Sequence, residues 1–363
     1  MRILFLSAAN SIHTVKWVNA LAKRGHEVHL IYNAGHEPKN DVLSNEIKCY
    51  CLKYSGGIGY YRNAKELRHV TRKIEPDVIN VHYASGYGTL ARRAKIGPIL
   101  LSVWGSDVYD FPYESRMKNK ILKKNVKYAK ALASTSFCMA EQLRKVMQDK
   151  KLEIAITPFG VDIQKFDLKC YLQKSDKTEI IIGNIKLLEA KYGIKELITA
   201  FVKLKDEMKN EKALKLYIYG DGSLRGELEE LIHSLNMQDA VFLKGRIANA
   251  KVPEALNEFD IFCALSQLDS ESFGVAVVEA MAMGKPVVVS DVDGFCEVVK
   301  DNETGYIVQR KNIEEIVAKL KKLILDEELR EQLGKAGRKR VEEKYDWEKN
   351  VDTMLEVYQK VIR

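Results

Sequence analysis

Short apolar runs alternate along the chain with longer stretches whose apolar residues recur every three or four positions. In the first half the short runs are RILFLS (2–7), EVHLIY (27–32), IKCYCL (47–52), DVINVH (77–82), PILLSV (98–103) and ALAST (131–135). They predict strands. Between the first two, TVKWVNALAKRGH sets Val15, Val18, Leu21 and Ala22 at helical spacing and stops at Gly25. A second series follows the polar stretch 167–178: EIIIGN (179–184), LKLYIYG (214–220), AVFLKG (240–245), DIFCAL (260–265), PVVVSD (286–291) and GYIVQ (305–309). Strand–helix alternation with short connections predicts parallel, doubly wound sheets, and two series predict two Rossmann-like halves. Such sheets bind ligands at the carboxyl ends of their strands, where strand order switches. With two halves facing one another, the site is expected in the cleft between them. The halves are placed at 1–165 and 166–345. In the final stretch, Val351, Met354, Leu355, Tyr358 and Val361 or Ile362 share one helical face. Two placements of this helix, about 346–363, fit: back on the first half, or as the ordinary end of the second.

At 363 residues, two domains are the natural expectation at roughly 100–200 residues each. The composition, 46% hydrophobic and 30% charged, is that of a soluble globular protein. No run approaches the ~20 apolar residues of a membrane span. MRILFLSAANS turns polar early and reads as a first strand, not a signal peptide. The six cysteines form no CxxC, so free thiols in a cytoplasmic setting are expected. Cys49 and Cys51 fall on one side of a strand, with a core role expected.

Charge is uneven. Residues 1–165 carry 27 Lys and Arg against 14 Asp and Glu, whereas 166–363 carry 31 against 36, so the first half holds the positive excess. Such asymmetry points to an anionic surface or substrate on that side. RMKNKILKKNVKYAK (116–130) has seven basic residues and no acidic one, with Met117, Ile121, Leu122, Val126 and Ala129 roughly on one face. A basic amphipathic helix there suits peripheral contact with an anionic membrane; a solvated face over the domain's own core is the other reading. No nucleic-acid recognition motif accompanies the charge.

The chemistry concentrates in SESFGVAVVEAMAMG (270–284). Glu271 precedes a predicted helix that Ser270 or Ser272 would cap, and Glu279 lies about two turns in. At ~1.5 Å rise per residue the two carboxylates stand on the order of 10 Å apart, too far for a retaining-glycosidase pair, while distance alone leaves an inverting pair open. Between them a helix N-terminus with Gly274 offers backbone N–H groups and a positive dipole end to a phosphate. One carboxylate on each side suits the sugar and the ribose of a nucleotide-sugar. A capped core helix with two unrelated glutamates fits the spacing equally.

ESFGVAVVEAMAMGKPVVVSD resembles the E-x7-E signature of the retaining, GT-B-fold glycosyltransferases of family 4. GHEVHLIY (25–32), PDVINVHY (76–83), TPFGVD (157–162), YGDGSLRGELE (219–229), VFLKGRI (241–247) and DNETGYIV (301–308) fall in the family's order, so the resemblance spans nearly the whole chain. It implies that Glu271 holds the donor sugar, that Ser272, Phe273, Gly274 and Val275 hold sugar and phosphate, and that Glu279 binds the ribose. It places a diphosphate-binding cation in GNIKLLEAKYGI: Lys191 first, Lys186 second, with Asn184 where many members have Arg. Gly220 joins the donor site, and Arg246 and Ile247 meet the base. On the acceptor side His13, His82, Trp104 and Asp107 are the candidates; a surface His13 and a buried structural His82 fit the sequence as well. The loop SAANSIHTVKW lacks the usual glycine pair, and Trp104 stands where many members have His. The donor is expected to be a UDP-sugar, the acceptor glycan- or lipid-linked, and the product a surface polysaccharide or glycoconjugate. In this family the leaving diphosphate can itself accept the acceptor's proton, so Glu271, Lys191, His13 and Asp107 position and stabilise. DVD (291–293) is formally a DxD, but it lies inside the family-4 pattern, and neither metal nor cofactor is expected. A sugar-nucleotide epimerase and a non-catalytic nucleotide-sugar or glycan binder are the alternatives. The first would alter donor without acceptor; the second would lack the Glu271, Glu279 and Lys191 set.

Overall fold

The computed structural model describes residues 1–39, 43–171, 179–208 and 213–363. The chain divides into two compact units, Met1–Phe159 with Glu348–Arg363, and Gly160–Trp347.

In the first unit the described strands are β1 (Arg2–Leu6), β2 (Glu27–Asn33), β3 (Lys48–Leu52), β4 (Val78–His82), β5 (Ile99–Val103), β6 (Ala131–Ser134) and β7 (Ala155–Ile156). They form one parallel sheet in the order β3-β2-β1-β4-β5-β6-β7. β1, β4 and β5 are almost wholly buried because helices cover both faces. β7, only two residues long, has no apolar run to announce it.

β3 is the sheet edge, and Cys49 and Cys51 on it are exposed. This corrects the expected core role: Leu52 is the buried member of that strand. Helix Arg116–Tyr128 buries Leu122 and Val126 and half-buries Ile121, but leaves Met117 69% exposed, so the apolar face is narrower than its spacing implied.

The terminal helix Trp347–Ile362 belongs from Glu348 onward to the first unit. Val351, Met354, Tyr358 and Val361 are buried, while Ile362 faces out. Asn80 on β4 donates to the Tyr358 hydroxyl at 2.7 Å and accepts from Ser102 on β5 at 2.9 Å. Arg24 binds the Glu348 carboxylate at 2.7 Å and also pairs with Asp352.

The second unit holds β8 (Glu179–Ile185), β9 (Ala213–Tyr219), β10 (Val241–Gly245), β11 (Ile261–Ala264), β12 (Val287–Ser290) and β13 (Tyr306–Val308), parallel in the order β10-β9-β8-β11-β12-β13. Its core joins the apolar sides of β8, β9 and β11 to helices Ile194–Glu207 and Ile313–Leu325. Residues 160–165, placed with the first half on sequence, pack here. Val161 donates to the Tyr345 carbonyl at 2.8 Å, and Arg338 donates to the Ile163 carbonyl at 2.9 Å and the Ala282 carbonyl at 2.7 Å.

Candidate functional site

Strand order reverses direction between β1 and β4 in one unit and between β8 and β11 in the other. Loops leaving such a pair diverge and open a crevice at the strands' carboxyl ends. Most of the candidate residues emerge there.

In the second unit Lys186 leaves β8 and Glu271 follows β11, and the two side chains form an ion pair. Glu271 is 11% and Lys186 23% exposed, so the pair is largely withdrawn from water. The Lys186 ammonium also lies over the Tyr192 ring, 4.5 Å from its centroid. Lys191 approaches the same ring at 5.1 Å but is exposed. Lys186, the second choice on sequence, is thus the cation the fold brings to Glu271, and Lys191 is the more exposed of the two. Asn184 carries no equivalent charge: it is buried and donates to the Cys263 carbonyl at 2.7 Å, tying β8 to β11.

Helix Val275–Ala282 begins at Gly274, and neither Ser270 nor Ser272 caps it. Gly274 occupies the N-cap position with φ +80°, a left-handed conformation, and a Cβ there would meet the Phe295 ring at 2.7 Å. Both constraints demand glycine, which explains why no hydroxyl residue sits at this cap. The helix starts later than its apolar pattern implied, so Glu279 is about one turn in rather than two. The first N–H groups of the helix have no carbonyl one turn back to bind. Ser272 and Phe273 are buried, and Phe273 packs edge-on against Tyr345 at 5.5 Å.

Gly220, at φ +150°, lets the loop after β9 cross beneath Lys186, whose carbonyl oxygen a Cβ would approach to 1.8 Å. Its part is to seat Lys186. The Gly220 amide donates to the Gly245 carbonyl at 2.8 Å, which joins this loop to the one bearing Arg246 and Ile247. Arg246 is 80% exposed and stands 4.0 Å from Asp221.

Arg310 is a residue that sequence reasoning missed. Its backbone N–H and Nε both donate to Asp291, at 2.9 and 3.0 Å, and its guanidinium reaches Asp269 and the Gln267 carbonyl. It staples the 267–271 turn to the loop after β12. Asp291 of the DVD stretch is therefore occupied by Arg310. Among the described residues no cluster of three or more His, Cys, Asp or Glu side chains is arranged to hold a metal.

In the first unit Ser7, just past β1, binds His82 Nδ1 at 2.9 Å and the Thr14 hydroxyl at 2.7 Å. His82 is fully buried, and burial first, then nearby His13, holds its pKa well below the ordinary value. It stays neutral as an internal strut. Asp107 is likewise buried, accepting from the amides of Ala84 at 2.8 Å, Gly105 at 2.9 Å and Trp104 at 3.1 Å. Burial raises its pKa while these amides oppose the rise. Both oxygens accept backbone N–H groups and so shape the loop after β5. His13 is only half-buried. It stacks on Phe159 with ring centroids 4.0 Å apart and meets Trp104 edge-on at 5.9 Å. Trp104 also contacts His82 at 4.0 Å and Tyr83 at 5.6 Å, so it is the hub of an aromatic cluster at the β1–β4 switch.

Two family models match this chain: "Glycosyl transferases group 1" over residues 172–340 and "Glycosyl transferase 4-like" over residues 2–136. The chain belongs to the group 1, 4-like glycosyl transferases. It is 25% identical over 360 residues to the N-acetyl-alpha-D-glucosaminyl L-malate synthase of Bacillus anthracis, covering 94% of this chain and 91% of that one. It is 28% identical to the Staphylococcus aureus capsular polysaccharide biosynthesis glycosyltransferase CapM, covering 90% of this chain and 88% of that one. Among solved structures, Anabaena HepE in complex with UDP superposes with a TM-score of 0.78 at 16% identity, covering 99% of this chain and 100% of that one. This likeness shows the GT-B fold. In this glycosyltransferase Glu271 and Gly274 lie within the stretch 271–279, and Lys186 reaches Glu271 from the end of β8.

Proposed function

We propose that this glycosyltransferase is a retaining enzyme that moves a hexose or N-acetylhexosamine from a UDP-sugar to a glycan- or lipid-linked acceptor. The observation that carries the reading is the withdrawn Lys186–Glu271 pair beside the start of helix 275–282. A carboxylate suited to sugar hydroxyls lies against a cation suited to diphosphate, next to helix amides suited to the same anion. Glu279, one turn further, takes the ribose, and Arg246 with Ile247 takes the base. HepE was solved with UDP, and the Bacillus anthracis relative is named for N-acetylglucosaminyl transfer; both favour a UDP-linked donor. CapM is named for capsular polysaccharide biosynthesis, which favours a surface glycoconjugate as product.

In the step itself the bond from sugar C1 to the diphosphate oxygen breaks, and the acceptor oxygen bonds to C1 on the same face. The acceptor's proton passes to an oxygen of the departing diphosphate. Lys186 and Lys191 stabilise the charge that develops there, and Glu271 fixes the sugar. This route asks for no protein nucleophile, in keeping with a buried, neutral His82 and a fully engaged Asp107. It is also read as metal-independent, since Asp291 is committed to Arg310.

Titration calorimetry with UDP, GDP and ADP tests the donor site. UDP is expected to bind most tightly, and Glu279→Ala to weaken it by about tenfold, the worth of one charge-assisted contact. Unchanged affinity in Glu279→Ala would remove the ribose assignment.

No helix among the described residues is long and apolar enough to cross a membrane. We assign peripheral contact to the outward lysines of helix Arg116–Tyr128, flanked by exposed Tyr113 and Met117. Co-sedimentation with anionic phospholipid vesicles, falling with added salt, is the expected result. Equal partition onto zwitterionic vesicles would refute it.

A further inference from the structure

A cavity of about 460 Å³ opens in the first unit beside the aromatic cluster, and no part of the donor site uses it. Its walls come from the loops after β1, β2 and β4, from helices Gly56–Arg62 and Gly86–Ala94, and from Phe111 and Ile121 on helices Phe111–Glu114 and Arg116–Tyr128. Tyr60, Tyr61, Tyr83 and Tyr87 line it with His36, and no Lys, Arg, Asp or Glu does. Tyr83 is shared: it lines the cavity and its ring meets Trp104 at 5.6 Å. The cavity is therefore continuous with the ring cluster at the β1–β4 switch.

The walls are ordered. Tyr60 and Tyr87 pack edge to face at 5.3 Å. The Tyr87 hydroxyl accepts from the Asn33 amide at 3.2 Å and bonds His36 Nδ1 at 2.7 Å. Gly86 leaves room for the Tyr60 ring, whose atoms a Cβ would approach to 2.5 Å. The Tyr60 hydroxyl and His36 Nε2 bond no other described residue, so they are available to a ligand. Burial raises the Tyr60 phenol pKa and lowers that of His36, so neither brings charge to the cavity near neutral pH.

We infer that this cavity seats a neutral pyranose unit of the acceptor glycan, beyond the unit that receives the transferred sugar. Aromatic rings pack on the apolar C–H face of a sugar, while phenol, imidazole and backbone groups satisfy its hydroxyls. An anionic sugar finds no cation among the lining residues. An alkyl chain would strand the Tyr60 hydroxyl and the His36 ring nitrogen without partners. The inference rests on the glycosyltransferase reading and adds the acceptor's chemical class to it.

Saturation-transfer NMR on the full chain tests it, with maltose, lactose, chitobiose and octyl glucoside below its micelle concentration as probes. At least one disaccharide is expected to bind at millimolar concentration, and octyl glucoside to take up saturation at its ring protons. Tyr60→Ala is expected to weaken binding by about tenfold, while Tyr60→Phe keeps most of it, as ring stacking requires. Binding of none of the four probes, saturation confined to the octyl protons, or indifference to Tyr60→Ala overturns the inference. UDP binding measured on the same samples separates the two claims. It is expected to be equal in wild type and both variants, and its loss from wild type would count against the donor site alone.

Discussion

Lys186→Ala is expected to lower kcat by roughly 10²–10³-fold, the scale seen when one preorganised charge-stabilising donor is removed. The reason is where this ammonium sits. It is held from three sides: by Glu271, by the face of Tyr192, and through its own backbone by the close approach of Gly220. A cation held this way need not reorganise when negative charge grows on the leaving diphosphate. Its removal also leaves Glu271 without its partner in a site shielded from water, which disturbs the group that holds the sugar. Lys191 meets the same ring and is exposed, so Lys191→Ala is also expected to slow the reaction. Both lysines address one diphosphate, so the double variant should lose less than the product of the two single losses. Lys186→Arg, which keeps the charge, should recover part of the rate. Steady-state kinetics over a donor series provide the measurement. A Lys186→Ala enzyme within threefold of wild type would show that the pair seen with Glu271 plays no part in transfer.

How the sequence announced Lys186 and Lys191 explains what it conveys and what it does not. Each expected strand appears within a residue or so at either end, because β-branched runs bounded by polar residues have few other ways to fold. Glu271, Gly274 and Glu279 were legible because the spacing of two carboxylates around a glycine is itself a local pattern. The choice between two lysines five residues apart was not, since it depends on which of them meets Glu271 once β8 and β11 lie side by side. The burial of Asp107 was equally hidden, because the amides of Ala84, Trp104 and Gly105 that its carboxylate accepts from carry no signal of their own. Arg310 was invisible for the same reason, because its partners Asp269 and Asp291 are joined to it only once β11, β12 and β13 are side by side. The terminal helix showed its buried face plainly, yet the partners that hold it, Asn80 for Tyr358 and Arg24 for Glu348 and Asp352, lie more than 270 residues away. Local periodicity conveys the elements and their buried faces, whereas the identity of a partner is a property of the assembled sheet.

Gly294→Ala is expected to cost the enzyme roughly 10²-fold in kcat/KM, although Gly294 carries no functional group and lies outside every candidate motif position. It sits in helix Asp293–Val298, where alanine would ordinarily be favoured over glycine. Here the preference is overturned by space. A Cβ at this position would lie 2.2 Å from the Glu271 carbonyl oxygen and 2.5 Å from the Phe273 amide nitrogen. Both are backbone atoms, so no side-chain rotation relieves the clash, and either helix 293–298 or the 271–273 turn must move. That turn has little freedom elsewhere. Phe273 is wedged against Tyr345, and the preceding residues are fixed by Arg310 through Asp269. Overpacking of this kind typically costs about 1–3 kcal/mol of stability. The larger consequence falls on the donor, because a shift of the turn carries the Glu271 carboxylate away from Lys186 and displaces the amides ahead of Gly274. The expected result is a folded variant with a modestly lowered melting temperature, UDP-sugar affinity reduced together with kcat, and no change in the acceptor-side cavity of the first unit. Melting curves, donor calorimetry and disaccharide saturation transfer on one preparation separate these effects. If Gly294→Ala binds donor as wild type does, the backbone of 271–273 is not what holds the sugar and phosphate.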